Sequence, residues 1–594
     1  MARSIRIGGA AGFWGESASA TAQLLGDPDL DVLIYDYLAE ITLSIMARAR
    51  AKDANAGWAG DFVTAAMAPN LAQIARRGVK VIANAGGMNP AACAEALRAE
   101  AARQNIPLRI AVVTGDDLSP RAADFAGAPE MFSGAPFPPL DRIASINAYL
   151  GAFPIAAALS AGAQVVITGR CVDSALALGA CIHAHGWGAQ DLDALAGGSL
   201  AGHLIECGPQ ATGGNFTRWR LVGDPDAIGY PIAEIDADGA FAIGVAPGAG
   251  GGGIVAAAAE QMLYEIGDPQ AYALPDVICD FSDVRMVLDG APDGAGVRVT
   301  GARGRAPSGR LKVCATWADG FRGGQLLGFN GLEAREKAHA FAAAARRRAE
   351  AAAGSFAEWS EEITGGAPPG APAGYEEITL KLAVRHDAPK GVGAFVREVT
   401  GLALATPPGL SIFTAGGRPK PSPVVRLFSF LADAAAVPAQ VTLDGGAIAY
   451  ADPQRPALTR PAPTPPPACP PRPAASGTAT AHAPLAALAC ARSGDKGDAA
   501  NIGVIADDPA ALPWIRAALT PDMLRAVFPE ALGAIRIYDL PGVHALNIVL
   551  EDALGGGGIA SLRMDAQAKS WAQRLLAHPI PIPANLIPAH GGPS

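Results

Sequence analysis

The sequence lacks the devices that would place it at once in a metal, redox or nucleic-acid class. Its eight cysteines, at 93, 171, 181, 207, 279, 314, 469 and 490, form no CxxC pair and no His/Cys cluster at metal spacing. Neither a zinc module nor a disulfide framework is expected, and reduced thiols in a cytoplasm are the default. No polybasic run interrupts a chain of net charge −10, which argues against a nucleic-acid partner. The opening MARSIRIGGAAGFWGE has no apolar core of a signal peptide. No uninterrupted apolar span stands out either. Residues 145–169 carry no charge and are long enough to cross a bilayer, but Gly151, Pro154, Ser160 and Gly162 break them and their end, AQVVITG, is β-branched. A buried helix followed by a buried strand is expected there, and no membrane partner. No GxGxxG follows a strand, which weighs against a dinucleotide-dependent oxidoreductase.

What is present is ample apolar material. Hydrophobic residues make up 50% and charged residues 17% of 594, enough for a sizeable core in two or three domains. Glycine (71) and proline (49) exceed average usage, so loops are prominent. Over the first 180 residues short apolar runs at 5–7, 32–35, 79–83, 108–113 and 164–168 alternate with helical patterns. Continuous apolar runs of this kind predict a mostly parallel, Rossmann-like sheet covered on both faces. Right-handed crossovers would bring their carboxyl ends to one edge, where open α/β sheets bind ligands.

Those ends carry Gly9, Gly12, Phe13 and Trp14; then Asp36, Tyr37 and Glu40; then Asn84, Gly86 and Gly87; then Asp116 and Asp117; then Arg170 and Asp173. Each has a plain alternative: a tight turn into a helix, a solvated cap, or a structural Arg170–Asp173 pair three residues apart. Further on, HLIECGPQATGGN places Glu206 and Cys207 beside Gly213, Gly214 and Asn215. Glu206 suits general acid/base work. A nucleophilic Cys207 would need a base nearby. The glycines allow close backbone approach to a ligand. The loop holding Gly250 and Gly251 precedes a helix and could cradle phosphate, but no Lys-Ser/Thr follows.

From about 276 the pattern turns strand-rich, at 310–317, 377–384, 400–405, 424–429 and 440–443, with one helix at 333–353. An α/β part (1–270) with this α+β extension (271–452) gives a large domain of 1–452. Residues 453–484 are dense in proline and read as a semi-rigid tether. Residues 485–594 read strand, strand, two helices, strand, strand, helix: a small α/β sandwich. Its first turn, 492–498, packs four charges and two glycines between apolar strands. Lys496 could meet an anion or carbonyl, with Asp495 or Asp498 as base or cation ligand. A solvated hairpin with internal ion pairs is the alternative.

The stretches IGGAAGFWGES, YDYLAEITLSIMARAR, NAGGMNP, ITGRCVDSALALG, HLIECGPQATGGNF, AEQMLYEIGDP and ARSGDKGDAANIGV together resemble the acyclic terpene utilisation (AtuA) family. The resemblance spans 1–450 and 485–594, in the fused form that joins a small ferredoxin-fold domain to the large one. Gly248-Ala249-Gly250-Gly251 departs from the expected Gly-Thr-Gly-Gly. The resemblance implies a catabolic role on acyclic terpenoid or branched acyl-CoA compounds, as a lyase, hydratase or hydrolase. A non-catalytic subunit or scaffold for carboxylase or dehydrogenase partners is the alternative, since a tether raises the effective concentration of a second module. No residue roles come with the family. The candidates therefore rest on the residue reading: Asp173, Glu206, Asp116, Lys496 and Asp495 for catalysis, and the glycines, aromatics, Asp36, Asn84, Arg170, Asn215 and Asp498 above for binding. No cofactor is predicted and a metal is left open. A small-molecule substrate and a homo-oligomer complete the expectation.

Overall fold

The computed structural model describes residues 3–290, 296–413, 417–453, 475, 477–558 and 560–588. Most of the proline-rich tether (454–474) lies outside the described residues.

Five strands, β1 (Ile5–Gly9), β2 (Val32–Tyr35), β3 (Lys80–Ala83), β4 (Ile110–Thr114) and, after β5 (Ile143–Ala148), β6 (Val165–Thr168), account for the five apolar runs. β1, β2, β3, β6 and β4 lie side by side in that order and all pair in parallel. Both β2 and β6 are buried at every position, because helices cover both faces. The whole sheet is mixed, however, with eleven strands. Antiparallel strands at Pro231–Ile235, Phe241–Val245, Gly296–Thr300 and Arg285–Asp289 extend one side; Gln440–Leu443 and Gly446–Ile448 extend the other. The parallel, Rossmann-like expectation thus describes only the centre.

Sheet membership also crosses the sequence division at 270. β5, from within the charge-free segment, leaves the first sheet to pair with Arg310–Leu332, while 440–448 returns to it. The segment then continues as expected, with helix Phe153–Ser160 followed by β6.

The strand Arg310–Leu332 is the spine of a second sheet. Its first half pairs with Ser422–Asp433 and its second with Tyr375–His386. Helices Ala334–Ala353 and Pro389–Gly401 cover the latter part, around Phe329, Phe341 and Phe395. The strand expected at 400–405 is instead the end of the second helix and the turn after it. Val392, Phe395, Val396 and Val399 recur at helical spacing and are buried, and that period outweighs the local β-branched signal.

The small C-terminal unit has four antiparallel strands, in the order Ala489–Lys496, Ala499–Ala506, Ala545–Leu550, Ile535–Leu540. Helices Leu512–Ala518, Pro521–Val527 and Trp571–Leu576 close its own core, where Phe528 stacks on Trp571 with ring centroids 4.8 Å apart. The last helix begins later than the expected 565. The end of the expected tether is ordered too: Ala481–Pro484 is a strand paired with Pro579–Ile582.

Candidate active site

A cavity of about 980 Å³ opens at the carboxyl ends of the parallel strands. Three parts of the chain wall it. The strand ends and the 206–215 segment form one wall, Lys312 and Leu427 of the second sheet another, and residues 491–497 and 567–573 of the small unit the third.

On the strand-end wall three carboxylates converge. One oxygen from each of Asp36, Asp173 and Glu206 lies within 4.8 Å of the other two. Asp36 follows β2 and is buried. Its Oδ1 accepts from the Leu38 N–H at 3.3 Å and from Asn84 Nδ2, and Asn84 in turn accepts the Tyr37 N–H at 2.7 Å. Asp173 accepts from Arg170 on the turn after β6. Glu206 caps the helix Leu192–Ile205 and its Oε1 stands 3.1 Å from His203 Nδ1. Burial first, then the Asp173 charge, pushes both the Asp36 and the Glu206 carboxyls well above the usual range, with Arg170 opposing in each. Burial lowers His203 to about 4, so it is neutral, and Nδ1 shares a hydrogen bond with the Glu206 carboxyl. Arg170 is held by its own N–H on Asp116 (2.8 Å), by Nη1 on the Leu38 carbonyl (2.8 Å), and by its guanidinium over the Tyr149 ring at 4.2 Å. Burial disfavours its charge, but Asp173, Tyr149 and Glu40 outweigh that.

Beside it lies a second charge cluster. Lys312 Nζ is 3.1 Å from Glu40 and 4.6 Å from the Tyr149 ring centre, and the Tyr149 hydroxyl donates to Glu40. Burial works against the Glu40 charge, yet Lys312, Arg170 and Tyr149 hold its carboxyl far below the usual range.

The small unit supplies the third group. Lys496 projects into the cavity, 5.7 Å from the Tyr272 ring centre. Its pKa is raised, with Tyr272 the largest influence. Asp495 accepts from Gln567 at 3.3 Å and lies 3.5 Å from Lys569. Burial, then Glu265, raises its carboxyl to about 6. Lys569 also pairs with Glu265 at 3.0 Å. The strand carrying these groups is seated by Arg492, which donates to the Gly214 carbonyl (2.8 Å) and to Gln261 (2.9 Å) and pairs with Glu260 at 3.3 Å. Asn501 and Asn547 donate to the Leu263 and Ile266 carbonyls. A Cβ on Gly494 would stand 2.5 Å from the Tyr264 ring, so only glycine allows this approach.

Of the candidates read from sequence, Gly12, Phe13, Asp36, Arg170, Asp173, Glu206, Gly214, Asn215, Asp495 and Lys496 line the cavity. The others sit elsewhere. Asp116 is buried behind it, accepting from the Arg170 N–H and from Asn147, and so positions the turn that carries Arg170. Asn84 likewise stands behind Asp36. Asp498 accepts the Leu554 and Gly556 N–H groups. Trp14 is not in the lining, whereas its neighbour Phe13 is and remains 60% exposed. Gly9, Gly86, Gly87, Gly213, Gly250 and Gly251 pack against Ile205, Thr168, Met46, Val222, Ala227 and Thr212 respectively; their smallness serves internal packing. The 492–498 segment is a hairpin in which Arg492, Ser493 and Gly494 are buried strand residues while its tip, Lys496 and Gly497, is exposed. Sequence reading missed Tyr149, Tyr264, Glu265, Lys312 and Lys569. Lys312 alone left a signal, a cation inside the apolar run 310–317.

Two family descriptions match. Acyclic terpene utilisation family protein AtuA covers residues 5–443, and the AtuA ferredoxin-like domain covers 483–581. The chain belongs to the acyclic terpene utilisation family. The match takes in both the strand ends and the small unit, so all three walls of the cavity fall within AtuA-family sequence. No curated protein and no solved structure matches the chain. No helix among the described residues is long and apolar enough to cross a membrane.

Proposed function

We propose that this AtuA-family protein is a catabolic enzyme acting on an acyclic terpenoid or branched-chain acyl-CoA, or a related acid, by a lyase, hydratase or hydrolase-type step. The observation that carries the reading is the convergence of Asp36, Asp173 and Glu206 in one cavity with Lys496. Steps of this type develop negative charge on a carbonyl oxygen and move a proton, so they need fixed positive groups and a titratable partner in one water-limited space. Lys496 and Arg170 supply the first. Asp495, near 6, supplies the second as a base at neutral pH. Asp173 and Glu206 place carboxyl groups at the opposite wall. The Cys207 thiol is pushed well above its usual range by burial and then by Glu206, which argues against a thiolate nucleophile. The volume is at the upper end of small-molecule sites, in keeping with a large acyl substrate.

In this reading 1–452 and 485–594 are two domains that meet at the site, joined by the proline-rich tether, in a homo-oligomer of the cytoplasm. The seating of the small unit on 214 and 260–267 supports a catalytic part for it over a scaffold role. The test is turnover of a panel of branched acyl-CoAs by the purified protein. Wild type is expected to turn over at least one, and Lys496→Ala to lose about 10²-fold, the scale of removing one oxyanion donor. No turnover by wild type, or undiminished turnover in Lys496→Ala and Glu206→Gln, counts against it.

A further inference from the structure

Asp36 and Glu206 are 6% and 8% exposed, and each stands beside a third carboxylate. Burying such charges without compensation is costly. What compensates them within the chain is incomplete. Asp36 receives two neutral N–H donors, from Asn84 and Leu38. Glu206 has one neutral partner, His203. Among the described residues, only Asp173 receives a cation in direct contact, Arg170. One cation thus serves three carboxylates.

The donors also leave a pattern. In each carboxylate one named oxygen is engaged: Oδ1 of Asp36, Oδ1 of Asp173 and Oε1 of Glu206. The other oxygen of Glu206, Oε2, is buried and has no hydrogen-bond partner among the described residues. Holding one oxygen so that the other is presented in a fixed direction is how outer partners orient metal ligands.

We propose that Asp36, Asp173 and Glu206 bind one hard divalent cation of the magnesium class. The donor set is all oxygen, which favours magnesium, manganese or calcium over zinc. At a metal–oxygen distance of ~2.1 Å, adjacent ligands on magnesium stand ~3.0 Å apart and opposed ones ~4.2 Å. The three oxygens are within 4.8 Å of one another, so side-chain shifts of at most about 2 Å bring them to an ion. Three protein ligands leave coordination positions for water or a substrate oxygen, and the ion would polarise that oxygen as a Lewis acid. This rests on reading the cavity as the reactive site and deepens it.

The test uses the full chain after chelator treatment and dialysis, with no substrate present. Free Mn²⁺ is followed by electron paramagnetic resonance during titration, and Mg²⁺ and Ca²⁺ are then added as competitors. One saturable Mn²⁺ per chain, displaced by Mg²⁺ and weakened at least about 10-fold in Glu206→Gln and Asp173→Asn, is the expected result. Far-ultraviolet circular dichroism checks that each variant is folded; Asp36→Asn stands in for one that is not. Wild type with no saturable site, or affinity unchanged in the folded variants, overturns the proposal. A chain that turns over acyl-CoA without a metal site would sink the cation and leave the proposed function standing. A chain that binds the cation but turns over nothing would do the reverse.

Discussion

Replacing Arg492 by methionine should release the small unit from the rest of the chain. Arg492 is 5% exposed and Glu260 0%, and they meet at 3.3 Å between the first strand of the small unit and the helix Val255–Leu263. Burial lowers the Arg492 pKa and raises that of Glu260, in each case against the attraction of the partner. Desolvation therefore outweighs attraction on both sides of the pair. Breaking such a pair leaves one buried charge and costs about 3–5 kcal/mol. Because Glu260 is already pushed toward its neutral form, it takes up a proton once Arg492 is gone, which holds the cost near ~3 kcal/mol. That shifts the seated-to-released equilibrium by about 100-fold. Hydrogen exchange reads it directly, as faster exchange of amides in 255–265 and 491–506 with the core of the small unit unchanged. The double variant Arg492→Met/Glu260→Met should recover most of the loss, since an apolar pair of similar volume carries no desolvation penalty. A single variant with wild-type exchange, or a double variant worse than either single one, would refute the reasoning.

Four shorter predictions follow from the same geometry. Lys496→Ala should cut turnover while leaving the melting temperature near wild type, because Lys496 is exposed at the hairpin tip; a large drop in melting temperature would make Lys496 structural. The pH dependence of kcat/KM should rise through about 6 as Asp495 loses its proton, and Asp495→Asn should abolish that inflection. Glu40 is held far below the ordinary glutamate range, so its contribution is complete at neutral pH and is lost as pH falls from ~4.3 downward; Glu40→Gln should cost about 2 kcal/mol at pH 7 and flatten the acid limb of stability against pH. Gly12→Ala should cost about 1–3 kcal/mol, because its Cβ would stand 2.8 Å from Cys207 Cα, and thermal unfolding checks it.

The strand-end half of the site was legible because it follows from one inference: continuous apolar runs make parallel strands, and parallel strands share a carboxyl edge. Asp36, Arg170 and Asp173 come together for that reason. Asn84 and Asp116 occupy equivalent positions yet serve their neighbours, and nothing in the sequence separates a carboxylate facing a cavity from one that accepts the Arg170 N–H. The second half was not legible. Tyr149, Lys312, Glu265 and Lys569 arrive through a strand that leaves the first sheet and through the seating of the small unit. Those are tertiary events without local periodicity. The 440–448 hairpin illustrates the same limit: its strand was expected, but its return to the edge of the first sheet beside β4 depends on pairing more than 300 residues apart in sequence.

The central claim is that one ligand touches both the parallel-strand ends and the small unit. Hydrogen exchange of the full chain with and without a saturating branched acyl-CoA measures it most directly. Joint slowing of amides in 36–42 and 491–497 is the predicted result. Slowing confined to one of the two segments, or to neither while the ligand is bound, would contradict the account.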